Sequence, residues 1–372
     1  MLHRTKNLCS ATIHLKMKTL LPASLLFCLA IVTPLRTVAV ETNAAPARLD
    51  RNQLLVYRDR HGLPQPVKSV RDWEKRRAEI LRGMESVMGP LPGNEKRRPL
   101  DLKIEEEVDC GSYVRRLITY ASEPGSRVPA LLLIPKRALA GKERCPGVLC
   151  PHPTGPLVDP IYARELAARG YVTLTPNYPW LGKYEPDLKA LGWESGTMKA
   201  IWDNMRGLDL LDSLPYVRHG KYGAIGHSLG GHNSVYTAIF DQRIQVIVSS
   251  CGLDSYLDYI GGAARVWQPG QGWCQDRYMP KLANYAGRLA DIPFDFHEMV
   301  GALAPRTVFI SAPLKDSNFN WESVDRVVAA AAQVYRLYGK PENLRVEHPD
   351  CEHSFPESMR QIAYRTLDER LK

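Results

Sequence analysis

From residue 146 to the C-terminus, short apolar runs alternate with helix-spaced segments, and this alternation leaves few folds open. "PGVLCPH", "YVTLTPN", "YGAIGH", "IQVIVSS", "RTVFISA" and "LRVEHP" are apolar through most of their length. They lack the period-two pattern of a strand with one wet face, so they predict strands buried on both faces, as in parallel sheets. Between and after them stand "PIYARELAARG", "GTMKAIWDNMRGLDLLDSLP", residues 229–241, "WESVDRVVAAAAQVYRLYG" and "ESMRQIAYRTLDERL". Their apolar residues recur at helical spacing. The order predicts an α/β fold: a mostly parallel central sheet with helices on both faces. Three earlier runs, "LDLKIEEEV", "YVRRLITYAS" and "VPALLLIP", follow one another without a helix and predict antiparallel strands at the start of the sheet.

The chain before these runs is of another kind. Lys16 and Lys18 precede "TLLPASLLFCLAIV", and small residues follow. Residues 1–40 therefore predict a secretory signal peptide, with an apolar run too short for a comfortable membrane span. Cleavage after Ala39, or near Ala44 and Ala45, stays open. Export, to a periplasm or out of the cell, is the expected localisation. Residues 41–98 predict a polar lead-in and a helix, "SVRDWEKRRAEILRGMESVMG". Ser69 and Asp72 give that helix a capping pattern. Trp73, Ile80, Leu81, Met84 and Met88 form its apolar stripe, and "GPLPG" stops it. The catalytic domain is expected over 99–372, with insertions at 176–197 and 252–300. Both insertions are rich in Tyr and Trp and follow strands, where long connections shape binding sites. Those rings suit either a sugar-binding face or the core of a lid.

The net charge is +9, but residues 1–45 carry +4 of it, and the remaining basic residues are scattered. Such scatter predicts a solvated surface, not a nucleic-acid stripe. Eight cysteines are present, two of them inside the signal, and their pairing is not readable from spacing. CxxC and HExxH spacings are missing, so no zinc, other metal or cofactor is expected.

"KYGAIGHSLGGHNSVYTAIF" carries the chemistry. A GxSxG pentad earns meaning only where it ends a buried strand and opens a helix, with the serine hydroxyl exposed on a tight turn. Lys221 to Gly226 supply the strand and Leu229 onward the helix. Ser228 is the candidate nucleophile, and it needs a base and a group to orient that base. The base must come late in the chain. His353 in "PDCEHSFPES" lies on the loop between the last strand and the last helix, whereas His348 ends the strand and suits a structural role. Asp316 in "ISAPLKDSNFN" is the favoured acid, with Asp254 in "SSCGLDS" as the rival. The backbone N–H groups of Leu229 and Thr154, the latter in "PHPTGP", are the expected oxyanion donors. His152, His227 and His232 are expected to pack or to support the site, not to react.

Taken together, "PHPTG", "ELAARGYVTLTPNYPWLG", "GHSLGGHNSVYTAIFDQRI", "SSCGLD", "RYMP", "SAPLKDSNF" and "CEHSFP" resemble the alpha/beta-hydrolase superfamily. The resemblance is to its dienelactone-hydrolase and acetyl-xylan-esterase-like group, and it extends over most of residues 130–356. It implies serine-dependent ester hydrolysis through Ser228, Asp316 and His353. True dienelactone hydrolases carry cysteine at the nucleophile position, where this chain has Ser228. The expected activity is that of an exported serine carboxylesterase, deacetylating a carbohydrate, with a small-molecule or carbohydrate ester as its partner. A serine peptidase of the prolyl-oligopeptidase type and a non-catalytic binding protein are the alternatives. Oligomeric state stays open.

Overall fold

The computed structural model describes residues 48–141 and 143–372. The expected signal segment lies outside them. The elements in chain order are β1 (Val56–Arg58), β2 (Pro64–Pro66), α1 (Val70–Met88), β3 (Lys103–Asp109), β4 (Tyr113–Glu123) and β5 (Ser126–Pro135). Next come α2 (Lys136–Leu139), β6 (Cys145–Leu149), α3 (Ile161–Ala168), β7 (Val172–Pro176), α4 (Gly196–Ser213) and β8 (Val217–His227). Then follow α5 (Leu229–Phe240), β9 (Ile244–Ser250), α6 (Phe296–Gly301), β10 (Thr307–Ser311), α7 (Trp321–Leu337), β11 (Leu344–Glu347) and α8 (Glu357–Leu371).

Nine strands form one sheet in the order β11-β10-β9-β8-β6-β7-β5-β4-β3. The six from β11 to β7 run parallel, and the meander of β3, β4 and β5 joins β7 antiparallel. Burial explains the sequence pattern. Every residue of β6 and β7 is buried, whereas the edge strand β3 is exposed along nearly all its length. Lys103, Glu105, Glu106 and Glu107 put charge on that edge, which discourages pairing with another chain.

The sheet separates two cores. On one face α3 and α8 set Tyr162, Leu166, Tyr364 and Leu367 against Leu133, Val148, Ile225 and Phe309. On the other, α4, α5, α7 and the stripe of α1 pack Trp73, Trp202, Val235 and Val334 against Leu132, Leu149, Ala224 and Ile247. Ser69 caps α1 by accepting the Asp72 N–H. The middle helix α4 is buried on nearly every side, because α5 and the connections after β7 and β9 pack around it. Its Lys199 is fully buried and ion-paired with Glu123 at 3.0 Å and Asp203 at 2.5 Å.

Four elements differ from the sequence reading, the first being the four-residue helix α2 after β5. The lead-in contains the β1–β2 hairpin, β8 begins at Val217 instead of Lys221, and the 252–300 connection ends in the short helix α6. Before α6 that connection is a string of 3₁₀ segments of three to six residues. Among the described residues no helix is long and apolar enough to cross a membrane.

Candidate active site

The loops after β6, β8, β10 and β11 meet at the carboxyl end of the parallel strands, where open α/β sheets bind ligands. Ser228 stands between β8 and α5 with φ 54° and ψ −122°. A non-glycine residue there is strained, and such strain persists only where the surroundings fix it. Two hydrogen bonds fix it: its N–H donates to the Ser250 carbonyl at 2.8 Å, and its carbonyl accepts the Gly231 N–H at 2.8 Å. Close packing adds to this. A Cβ at Gly226 would strike the Gly230 carbonyl, and one at Gly230 would strike the Pro151 carbonyl. The turn is therefore pressed against the "PHPTGP" loop, and Thr154 and Leu229 line one pocket with Ser228. As the first residue of α5, Leu229 has an N–H without an intrahelical acceptor.

His353, on the loop between β11 and α8, turns Nδ1 to Asp316, at 2.9 Å from Oδ2 and 3.0 Å from Oδ1. The Asp316 carboxylate also accepts the Asn318 N–H at 2.8 Å and the Phe319 N–H at 3.3 Å. Burial pushes this carboxyl up, but the hydrogen bonds from His353 and these amides outweigh it and hold it below the ordinary value. The imidazole is stacked against Phe319, with ring centroids 6.0 Å apart, and lies beside His227 at 4.9 Å. Backbone bonds lace the two loops: Leu314 N–H to Pro349 and Lys315 N–H to Cys351. Among the described residues, no hydrogen bond joins His353 Nε2 to Ser228 Oγ. Such bonds are often long in unliganded enzymes and tighten with substrate.

Asp254 lies elsewhere. It is 1% exposed, and Oδ2 accepts the N–H of Asn320, the N-cap of α7, at 3.0 Å. Burial raises its carboxyl well above the ordinary range. His348 bridges Ala312 O at 2.8 Å and Asp325 Oδ1 at 3.0 Å, which ties the β10 loop to α7. His152 bonds Pro153 O at 2.7 Å and accepts the Tyr178 N–H at 3.1 Å, joining the Thr154 loop to the connection after β7. His227 sits by Ser250 Oγ at 3.2 Å, and burial lowers it to about 4. His232, expected to pack or to support the site, lines the pocket.

The pocket over Ser228 measures about 150 Å³. Tyr259, Trp273, Gln275 and Tyr278 from the 252–300 connection form one wall, and Asn318 and Phe319 form another. The aromatics of 176–197 divide from these: Tyr178, Tyr184 and Trp193 are buried in the core. Among the described residues Cys251, Asp316 and His353 form one group whose possible ligand atoms lie within 4.8 Å of one another. Burial pushes the Cys251 thiol up, and it donates to the Ser354 carbonyl, so it stands there as a neutral thiol.

Residues 192–339 match a protein-family model described as glucuronyl esterase of fungi. A curated relative, "Putative hydrolase YtaP" of Bacillus subtilis (strain 168), is 26% identical over 321 residues, covering 79% of this chain and 100% of its own length. Among solved structures, a glucuronoyl esterase from Solibacter usitatus superposes with a TM-score of 0.66 at 19% identity, over 86% of this chain and 98% of that one. A "putative acetyl xylan esterase" from Bacteroides fragilis gives 0.54 at 17%, over 75% and 76%. The topology and these neighbours agree on the alpha/beta-hydrolase fold, and the family match and the neighbours make the chain similar to carboxylic ester hydrolases.

Proposed function

We propose that this chain is an exported serine esterase that removes acetyl groups from a carbohydrate, with Ser228 as nucleophile, His353 as base and Asp316 as the group that orients the base. The observation that carries the reading is the His353–Asp316 pair set on loops that meet the strained turn of Ser228. Ser228 Oγ attacks the ester carbonyl carbon while its proton passes to His353 Nε2. Asp316 holds Nδ1–H and stabilises the imidazolium. The Leu229 and Thr154 N–H groups receive the oxyanion, so the charge develops against fixed dipoles. The imidazolium then protonates the leaving alkoxide. Water, deprotonated by the same imidazole, cleaves the acyl-enzyme and frees the acid.

The sugar reading draws on the named activities of the similar proteins and on the aromatic wall of the pocket. Export draws on the signal-like pattern of residues 1–40. Acetate release from acetylated xylan fragments tests the reading, with Ser228→Ala as control. Release that vanishes in the variant supports it, and release that persists in the variant overturns the mechanism. A second substrate reading, an ester of a uronic acid, is favoured by the family-model match. Cleavage of a glucuronate methyl ester in preference to the acetates would select it. Hydrolysis of short peptides would turn the assignment toward a peptidase.

A further inference from the structure

The "PHPTGP" loop that carries Thr154 is poor in bonds of its own. Pro151 and Pro153 have no N–H to give. Among the described residues, the N–H groups of His152, Thr154 and Gly155 donate to no backbone carbonyl. Side chains hold the loop by its carbonyls instead. The His152 ring bonds Pro153 O at 2.7 Å, and the Tyr162 hydroxyl donates to Pro151 O at 2.6 Å. Tyr162 stands in the first turn of α3 and is 2% exposed. Burial drives its hydroxyl well above the ordinary value, so the proton stays on the oxygen and is there to donate.

The carbonyl that Tyr162 holds is the one that meets the nucleophile turn. It lies so near Gly230 that a Cβ there would strike it. Thr154 follows Pro151 by three residues, and Leu229 directly precedes Gly230. The loops bearing the two proposed oxyanion donors therefore touch at this carbonyl. Tyr162 is not among the residues that line the pocket, so its hold on the loop comes from behind. Its ring packs on Phe355, with centroids 6.2 Å apart, two residues beyond His353.

We propose that Tyr162 is a positioning residue for the oxyanion hole: its hydroxyl, by holding the Pro151 carbonyl, fixes the reach of the Thr154 N–H toward the developing oxyanion. This role rests on the serine-esterase reading, because only a carbonyl attacked by Ser228 calls for such a hole. Removing an oxyanion donor outright costs about 10²–10³-fold in kcat, and a donor that drifts out of reach forfeits part of that. The loss falls on the transition state, where the charge develops, and not on binding of the neutral ester.

Tyr162→Phe removes the hydroxyl and keeps the ring against Phe355. On an aryl acetate it is expected to lower kcat by about tenfold or more, with KM close to that of the natural protein. A trifluoromethyl ketone supplies a readout that a merely structural role would not move. Ser228 Oγ adds to its carbonyl carbon, the Ser228 proton passes to His353, and the carbonyl oxygen becomes an oxyanion in the hole. The inhibition constant is expected to rise by the factor by which kcat/KM falls. Tyr162→4-aminophenylalanine restores a donor and is expected to recover most of the rate and the inhibition. Unchanged rates and inhibition in Tyr162→Phe, or a rate loss that the inhibitor does not share, overturn the proposal. The natural protein gives a further test that needs no variant to fold. Its Thr154 amide proton should move downfield when the adduct forms, and a Thr154 amide that ignores the adduct overturns the proposal. Natural protein that neither cleaves esters nor forms the adduct removes the esterase reading itself, so the two failures are told apart.

Discussion

At the residue scale, two buried carboxyl groups stand near the carboxyl end of the sheet in different chemical states. Asp316 is held toward its ionised form by His353 and two amides, whereas burial pushes the Asp254 carboxyl up where it accepts the N–H of Asn320, the residue that caps α7. Only a carboxylate can stabilise an imidazolium, so the proposed mechanism assigns the two opposite fates on substitution. Asp316→Asn is expected to lower kcat by about 10³–10⁴-fold, through loss of the charge and the wrong imidazole tautomer. Asp254→Asn keeps an oxygen acceptor for the Asn320 N–H and is expected to leave kcat/KM close to that of the natural enzyme. Steady-state rates on an aryl acetate decide it, and the reverse pattern would make Asp254 the orienting acid. The sequence named both acids because each follows a parallel strand. It could not rank them by environment, since ionisation depends on which side chains the fold sets alongside. The same holds for His232. Four residues after Ser228 its place on the helix was readable, but its unpaired nitrogens exist only once Trp273 arrives from forty residues further on.

At the scale of elements, α4 carries the clearest energetic conflict. It buries Lys199 together with Glu123 and Asp203; Ser122 Oγ and the Tyr184 hydroxyl add hydrogen bonds to Lys199 and Asp203, and Glu123 also takes Lys96 and the Trp193 indole N–H, so that Asp203 is the acid that depends on Lys199 for its charge partner. The cluster ties α4 to the end of β4. Removing one partner of such a cluster leaves buried charge unpaired, so Lys199→Met is expected to cost about 3–5 kcal/mol. Urea unfolding followed by circular dichroism would report it as a lower midpoint with an unchanged slope. A midpoint equal to that of the natural protein would mean that the two acids take up protons when the lysine is lost. The helix itself was legible in sequence from its spacing, and so were β6, β7, β9 and β10, because strands buried on both faces are apolar through most of their length. The segment 252–295 was not legible. Its short 3₁₀ pieces repeat too few residues to show a period, and partners elsewhere in the chain fix their conformation. The β1–β2 hairpin escaped for a related reason: three-residue strands, one of them with two prolines, show no alternation.

For the whole molecule, acid pits two sets of buried groups against each other. His227, His232 and His297 are held neutral by burial, at about 4, about 3 and about 4. An unfolded chain would protonate them near pH 6.5. Below that pH the unfolded state binds more protons than the folded one, so these histidines withdraw stability as pH falls, until the folded values are reached. Asp203, Asp254 and Glu298 act in the opposite sense. Burial raises their folded values, so each loses stabilisation as pH rises through its folded value and regains it on acidification. The net curve mixes both sets, but a single substitution isolates one contribution. His232 is the cleanest choice, since burial is the one cause of its shift. The His232→Phe variant cannot take up the proton in either state. Relative to the natural protein, it should therefore gain about 2 kcal/mol between pH 7 and pH 5. Whatever the substitution costs in packing is the same at both pH values and cancels. Urea titrations of the two proteins at pH 7, 6 and 5 would measure the gain. Stability differences that stay constant across that range would show that His232 charges as readily inside the fold as outside it, and hence that water reaches its ring.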